Sequence, residues 1–208
     1  MHARQILVCG AAGRDFHNFN VVYRGDREVR VVAFTAAQIP GIEGRRYPPE
    51  LAGEAYPDGI PIHAEDELEA ICRRAGVTEV VFAYSDVTHV EVMHLASRAL
   101  AAGADFTVLG PQSTMLRSKK PVVAVSAVRT GCGKSQTARY LSQALHAAGR
   151  RVAVMRHPMP YGDLLRQRAQ SFRRLADLDA AGCTLEEREE YEPHIAAGSA
   201  VFAGVDTA

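Results

Sequence analysis

Twice along this chain a short apolar run ends in a glycine-rich turn and gives way to an amphipathic helical stretch. That alternation restricts the fold to a parallel sheet covered by crossover helices. The first run, residues 5–9, ends in Gly10-Ala11-Ala12-Gly13. The second, residues 121–128 (PVVAVSAV), ends in Val128-Arg129-Thr130-Gly131-Cys132-Gly133-Lys134-Ser135.

The second turn has the parts of a phosphate-binding P-loop. Such a loop needs a strand to deliver backbone N–H groups around phosphates, at the start of a helix whose dipole favours anions. Gly131 and Gly133 permit the close approach, Lys134 reaches the β- and γ-phosphates, and the Ser135 hydroxyl is the metal ligand for Mg²⁺. The predicted nucleotide-binding set is Arg129, Thr130, Gly131, Cys132, Gly133, Lys134, Ser135 and Gln136. GxxxxGK(S/T) asks for glycine at position 128, where Val128 stands. A bare GK(S/T) recurs by chance, so the weight rests on the context, an apolar strand before and a helix with Ala138, Leu141, Leu145 and Ala148 after. An ordinary glycine-rich strand-to-helix turn is the competing reading.

Around these turns the chain reads as strands at residues 28–35, 60–62, 79–84 and 106–109, with helices at 65–75 and 87–102. Ser118-Lys119-Lys120-Pro121 is a polar, proline-ended boundary, dividing a Rossmann-like domain (1–117) from the N-terminal part of a P-loop NTPase domain (118–208). In the second domain a helix is expected to Ala148, a strand at 151–155, a helix at 163–176, a capped helix opening at Thr184-Leu185-Glu186-Glu187 and a strand at 200–205. No strand ending in the acid that normally completes the Mg²⁺ site is read before Ala208, which suggests a truncated P-loop domain in a longer protein.

The first glycine-rich turn lacks the third glycine of GxGxxG, and the second strand ends Ala33-Phe34-Thr35-Ala36 without the acid that holds a ribose hydroxyl. Ordinary NAD binding is therefore not expected. Gly10, Gly13, Arg14, Asp15, His17 and Asn18 instead suit a small, highly charged substrate, or form a structural turn with a solvated first helical turn. Arg45 and Arg46, in a proline-stiffened loop, can clamp phosphate or carboxylate, and Ser85 and Asp86 end a strand at the sheet edge that holds ligands in open α/β folds. After the P-loop helix, Arg156 and His157 are placed to stabilise transferring phosphoryl charge. Asp163 positions Mg²⁺ or a water, or caps the next helix. With Lys134, these three are the predicted catalytic residues.

Composition narrows the partners. Net charge is zero, so neither nucleic acid nor a membrane surface attracts the chain over long range. The four cysteines are widely spaced, without a CxxC pair, and read as free thiols of a reducing, cytoplasmic compartment. No apolar run approaches membrane-spanning length. Homo-oligomer formation is left open.

Taken together, GAAGRDFHNFN, IPGIEGRRYPPELAG, VFAYSDV, AVRTGCGKSQT and RHPMPYGDL resemble the cyclic 2,3-diphosphoglycerate synthetase family, whose members are also described as GTPases. The resemblance runs along essentially the whole chain, and the family's loop also lacks the first P-loop glycine. It implies an ATP-dependent ligase in which ATP phosphorylates one phosphate of 2,3-diphosphoglycerate and the other attacks it intramolecularly, expelling inorganic phosphate. By resemblance, Arg14, His17, Asn18, Arg45 and Arg46 hold the anionic substrate. It also implies a length about twice this one, with the acidic strand lying further on. A GTPase switch or metallochaperone-type module is the alternative, with GTP in place of ATP.

Overall fold

The computed structural model describes residues 3–37, 41–127, 129, 131–158 and 162–206. The chain divides into two compact units, one comprising Met1–Arg117, Pro160–Leu165 and Asp206–Ala208, the other Ser118–Met159 and Arg166–Val205.

The first unit opens with β1 (Arg4–Cys9), α1 (Arg14–Asn18), which widens into π-helical turns over Phe19–Tyr23, and β2 (Val29–Ala36). A two-residue strand β3 (Arg46–Tyr47) and a helical turn α2 (Pro49–Ala52) precede β4 (Ile60–Ala64). Then follow α3 (Leu68–Ala75), β5 (Glu79–Phe82), α4 (His89–Ala101), β6 (Asp105–Val108) and the helical turn α5 (Pro111–Thr114). Among the described residues the strands are ordered β3-β4-β2-β1-β5-β6, all parallel except β3, which runs antiparallel to β4. This is a Rossmann-like, mostly parallel α/β sheet.

The reasons are local. Ile6, Leu7, Val8 and Cys9 are all fully buried, so β1 is apolar on both faces, as a central strand between two helical layers must be. On one face Leu7, Ala33, Val80 and Phe82 meet Leu68 and Ile71 of α3 and Leu95 and Ala99 of α4. On the other, Phe34 meets Phe16, Phe19 and Tyr47 at ring-centroid separations of 5.0, 5.8 and 5.7 Å. Thr88 and Glu91 form a complete capping box that starts α4, satisfying backbone donors that the helix would leave open. Successive strands leave β1 toward β2 on one side and β5 on the other, so the loops after β1 and β5 diverge and open a crevice at their carboxyl ends.

The second unit contains α6 (Lys134–Ala147), β7 (Ala153–Arg156), β8 (Gln170–Phe172), α7 (Leu175–Ala181), α8 (Leu185–Ala196) and β9 (Ala200–Ala203). Its described sheet is ordered β7-β9-β8, with β7 parallel and β8 antiparallel to β9. Phe172 stacks on Tyr191 at 5.5 Å and packs with Leu178, Ile195 and Val201 into a small core.

Two expectations need correction here. Residues 121–127 form no strand, and Val122 and Val123 are 71% and 63% exposed. An apolar run of this kind becomes a strand only between hydrogen-bonding neighbours, and the described strands of this unit pair only with one another. The helix expected at 163–176 is not formed over 163–174 and begins only at Leu175, as α7. Asp163 Oδ1 accepts from Leu165 N–H at 2.9 Å, an Asx turn that competes with helical bonding. The segment then pairs as β8, because the core takes Phe172 and tertiary burial overrides the local helical propensity. Asp163 is therefore not the cap of a helix. The described chain contains no helix long and apolar enough to cross a membrane.

Candidate functional site

In the first unit the crevice after β1 and β5 closes into a cavity of about 180 Å³. Its walls come from three strand ends: Gly10–Asp15 after β1, Ala36 and Ala37 after β2, and Ala83, Tyr84 and Ser85 after β5, with Ile42 completing the lining. The fold thus brings together Gly10, Gly13, Arg14, Asp15 and Ser85 of the predicted set.

Asp15 determines the chemistry of this turn. Its Oδ1 accepts from Ala12 N–H and Phe16 N–H, both at 2.7 Å. These N–H groups are of the kind that would receive a phosphate at such a turn, and a carboxylate already engages them. Gly10, at φ 112°, makes the arrangement possible: a Cβ there would lie 2.3 Å from Asp15 Oδ2. Burial pushes the Asp15 carboxyl up to about 7 against the opposing hydrogen bonds. Beside the cavity, the Tyr84 hydroxyl donates to both oxygens of Glu65, at 3.0 and 2.9 Å. Burial raises Glu65 above the ordinary carboxylate range, and burial followed by the Glu65 charge raises Tyr84. Among the lining residues Asp15 is the acid and Arg14 the cation.

The shift at Asp15 has a stability consequence of definite sign. An unfolded Asp releases its proton near pH 3.9, whereas the folded residue holds it to about pH 7. Between these values the unfolded state binds fewer protons, so this residue's contribution falls as pH rises. Asp15→Asn keeps an Oδ1 acceptor and removes the titration. Urea unfolding at about pH 5 and about pH 7 should show wild type losing more stability than Asp15→Asn over that window. Equal losses would refute the assignment.

The other predicted substrate residues do not line the cavity. The His17 Nε2–H donates to Thr114 carbonyl oxygen at 2.6 Å. Asn18 is buried, and neither side-chain amide atom has a partner among the described residues. Arg45 donates to Gly162 carbonyl oxygen at 2.7 Å, and Arg46 to those of Asp58 and Gly59 at 2.6 and 3.3 Å. Asp86, at φ 69°, turns the chain after β5. Tyr84 stood in the strand end singled out from sequence. Glu65 carried no signal beyond belonging to an acidic helix start.

In the second unit, Gly131 and Gly133 take φ of 81° and 87°, a left-handed backbone that other residues adopt at a cost. The Cys132 thiol donates to Arg129 carbonyl oxygen at 2.7 Å. Gly133 caps α6 and, having no side chain, makes no side-chain bond to the helix's first N–H groups. Lys134 and Gln136 are exposed on the first turn. Val128 and Thr130 lie outside the described residues. The Ser135 hydroxyl donates to Glu190 Oε1 at 2.7 Å, and Arg156 Nη2 lies 2.5 Å from Glu190 Oε2. His157 is exposed, with its Nδ1–H directed at Pro158 carbonyl oxygen at 3.3 Å. Asp163 belongs to the first unit. Glu190 is absent from the predicted set: it sits in the acidic run EEREEYE, where nothing local distinguishes one carboxylate from the next.

The chain is similar to an arginine synthetase along nearly its whole length. It is 64% identical over 203 residues to arginine synthetase ArcE of Thermococcus kodakarensis, a match covering 98% of this chain and 45% of that protein. The chain thus spans under half the length of this curated relative. No family model matches. Among solved structures, a Rex-family repressor, RSP, in complex with β-NAD⁺ and operator DNA is 11% identical, with a TM-score of 0.41 and coverage of 71% of this chain and 59% of that one. A 3-ketoreductase from Actinomadura kijaniata is 15% identical, with a TM-score of 0.34 and coverage of 77% and 51%.

Proposed function

We propose that this chain is the nucleotide-binding and acceptor-binding portion of an ATP-dependent ligase of the arginine-synthetase type. The observation that carries the reading is the 64% identity to arginine synthetase ArcE over 98% of the chain. The left-handed glycines Gly131 and Gly133 at the start of α6 support the nucleotide part.

An arginine-forming ligase must make a C–N bond at the carbon that becomes the guanidinium centre. A ureido oxygen leaves that carbon poorly. Transfer of the γ-phosphoryl group of ATP to this oxygen releases ADP and turns the oxygen into part of a phosphate leaving group. Ammonia then forms the new C–N bond, and inorganic phosphate departs. Such a route needs no protein nucleophile, only positioning and charge neutralisation. In this reading Gly131, Gly133 and the Lys134 ammonium hold the triphosphate, and Ser135 is a ligand for Mg²⁺. Bound Mg²⁺ would neutralise charge on the β- and γ-phosphates. The cavity beside Asp15 receives the amino-acid acceptor, between the Asp15 carboxyl and the Arg14 guanidinium in its lining.

Closure of 2,3-diphosphoglycerate, which the sequence resemblance implies, would use the same nucleotide loop with a different acceptor. That acceptor is strongly anionic. The carboxylate already on the Ala12 and Phe16 N–H groups favours the amino acid over it.

The test is ATP consumption by the protein and by a longer form matching the relative's full length. ADP release should rise when a ureido amino acid and ammonium are supplied together, with arginine formed in equal amount. Stimulation by 2,3-diphosphoglycerate instead would replace this substrate assignment with the phosphoanhydride reaction. Slow hydrolysis with a preference for GTP, indifferent to both acceptors, would point to a switch module.

A further inference from the structure

We propose that Glu190 supplies the protein carboxylate of the divalent-cation site at the P-loop, beside the Ser135 hydroxyl. This rests on the reading that the loop binds a nucleoside triphosphate. It replaces the expectation that the acid must come from the end of a strand, since here a helix delivers it.

The geometry comes from three elements. Thr184 and Glu187 form a complete capping box that fixes the first turn of α8. Glu190 follows Glu187 by three positions and so lies on the same side of that helix. Its Oε1 lies 2.7 Å from Ser135 Oγ, on the first turn of α6, and its Oε2 lies 2.5 Å from Arg156 Nη2, at the end of β7. Two oxygens on adjacent corners of an octahedron, each about 2.1 Å from Mg²⁺, are about 3 Å apart. The Ser135–Glu190 pair already has nearly that spacing, so a cation can be shared with little rearrangement. Arg156 holds the second carboxylate oxygen and offsets its charge while no cation is bound.

The donor set also fits the ion. Mg²⁺ takes oxygen ligands, loses water reluctantly, and is commonly held by one or two carboxylates together with substrate phosphates. Among the described residues no three His, Cys, Asp or Glu side chains cluster to hold a metal by themselves. A site of Ser135, Glu190 and nucleotide phosphate is therefore one that forms only with nucleotide bound. One turn beyond Glu190, His194 is 1% exposed, and its Nδ1 has no partner among the described residues. Its ring lies within electrostatic reach of Arg156, Arg139 and Glu190.

The experiment measures binding of a non-hydrolysable ATP analogue to the whole chain by calorimetry, with and without Mg²⁺, and reads the ratio of the two affinities. Wild type should bind about tenfold or more tightly with Mg²⁺, and Glu190→Gln should bring the ratio close to one. Ser135→Ala should lower it likewise and serves as the second probe if Glu190→Gln unfolds. Mn²⁺ paramagnetic resonance should show an analogue-dependent bound ion in wild type that Glu190→Gln loses. A wild-type ratio retained in Glu190→Gln overturns the proposal and leaves Glu190 as a structural partner of Arg156. No analogue binding by wild type, with or without Mg²⁺, overturns both the nucleotide reading and the cation site.

Discussion

Lys134→Ala is expected to weaken ATP binding by about ten- to a hundredfold while leaving the fold intact. The ammonium is exposed on the first turn of α6 and packs against no core residue, so its removal exposes no cavity. What it removes is a charge-assisted contact to phosphate, worth about 1.5–3 kcal/mol. Calorimetric titration with ATP measures the loss, and circular dichroism checks that helix content is kept. An affinity within twofold of wild type would show that the glycine-rich turn is an ordinary loop leading into a helix. Lys134→Arg is not a conservative control, because a planar fork does not replace a compact point charge in a tight phosphate loop.

The largest stability effect is expected at Phe34→Ala, about 3–5 kcal/mol of unfolding free energy in the first unit. Phe34 is fully buried in the middle of β2 and has Phe16, Phe19 and Tyr47 within 6 Å of its ring centre. Truncation removes apolar surface from the core and leaves a void that rings on α1 and the neighbouring turns cannot fill without leaving their rotamers. Urea unfolding should show the transition of the first unit at markedly lower denaturant. Because the chain divides into two units, the signal has to come from that unit alone, such as amide exchange in β1 and β2, rather than from a single global midpoint. A shift below about 1 kcal/mol would mean that the cluster repacks around the space.

Much of the first unit was legible because its residues state local preferences that packing does not oppose. ILVC in β1 is apolar at successive positions, which suits only a strand covered on both faces. Thr88 with Glu91 and Thr184 with Glu187 fix helix starts by short-range hydrogen bonds, and both boxes are formed. The failures occur where a distant partner decides. Residues 121–127 have a strand's side chains but gain no ladder among the described strands. Residues 170–172 have a helix former's neighbours, yet Phe172 is drawn onto Tyr191, whose position depends on how α8 lies. The very short β3 and α2 are below the length at which periodicity carries information.

The sites show the same division. Gly10 and Asp15 are close in sequence, so the turn they share was readable as a polar turn at a strand end. That Asp15 folds back onto Ala12 and Phe16 N–H groups was not, because it depends on the backbone path of the turn. Arg45 and Arg46 read as anion clamps from charge and spacing, but both spend their guanidinium groups on carbonyl oxygens of neighbouring loops. Glu190 lies 55 positions from Ser135, and only the fold brings them together.

The cavity in the first unit is walled largely by Ala11, Ala12, Ala36, Ala37 and Ala83. Alanine is the smallest side chain that still has a direction, and each of these stands at or just beyond the end of a strand held by its ladder. Adding one or two carbon atoms at any of them would change the room available without asking the sheet to move. A framework of this kind is easily retuned: a handful of single-residue changes can alter what the cavity admits while the strands stay as they are. Divergence of substrate among proteins sharing these strand ends should therefore be sought first in the size of five methyl-lined positions, before the charged loops that attract the eye in the sequence.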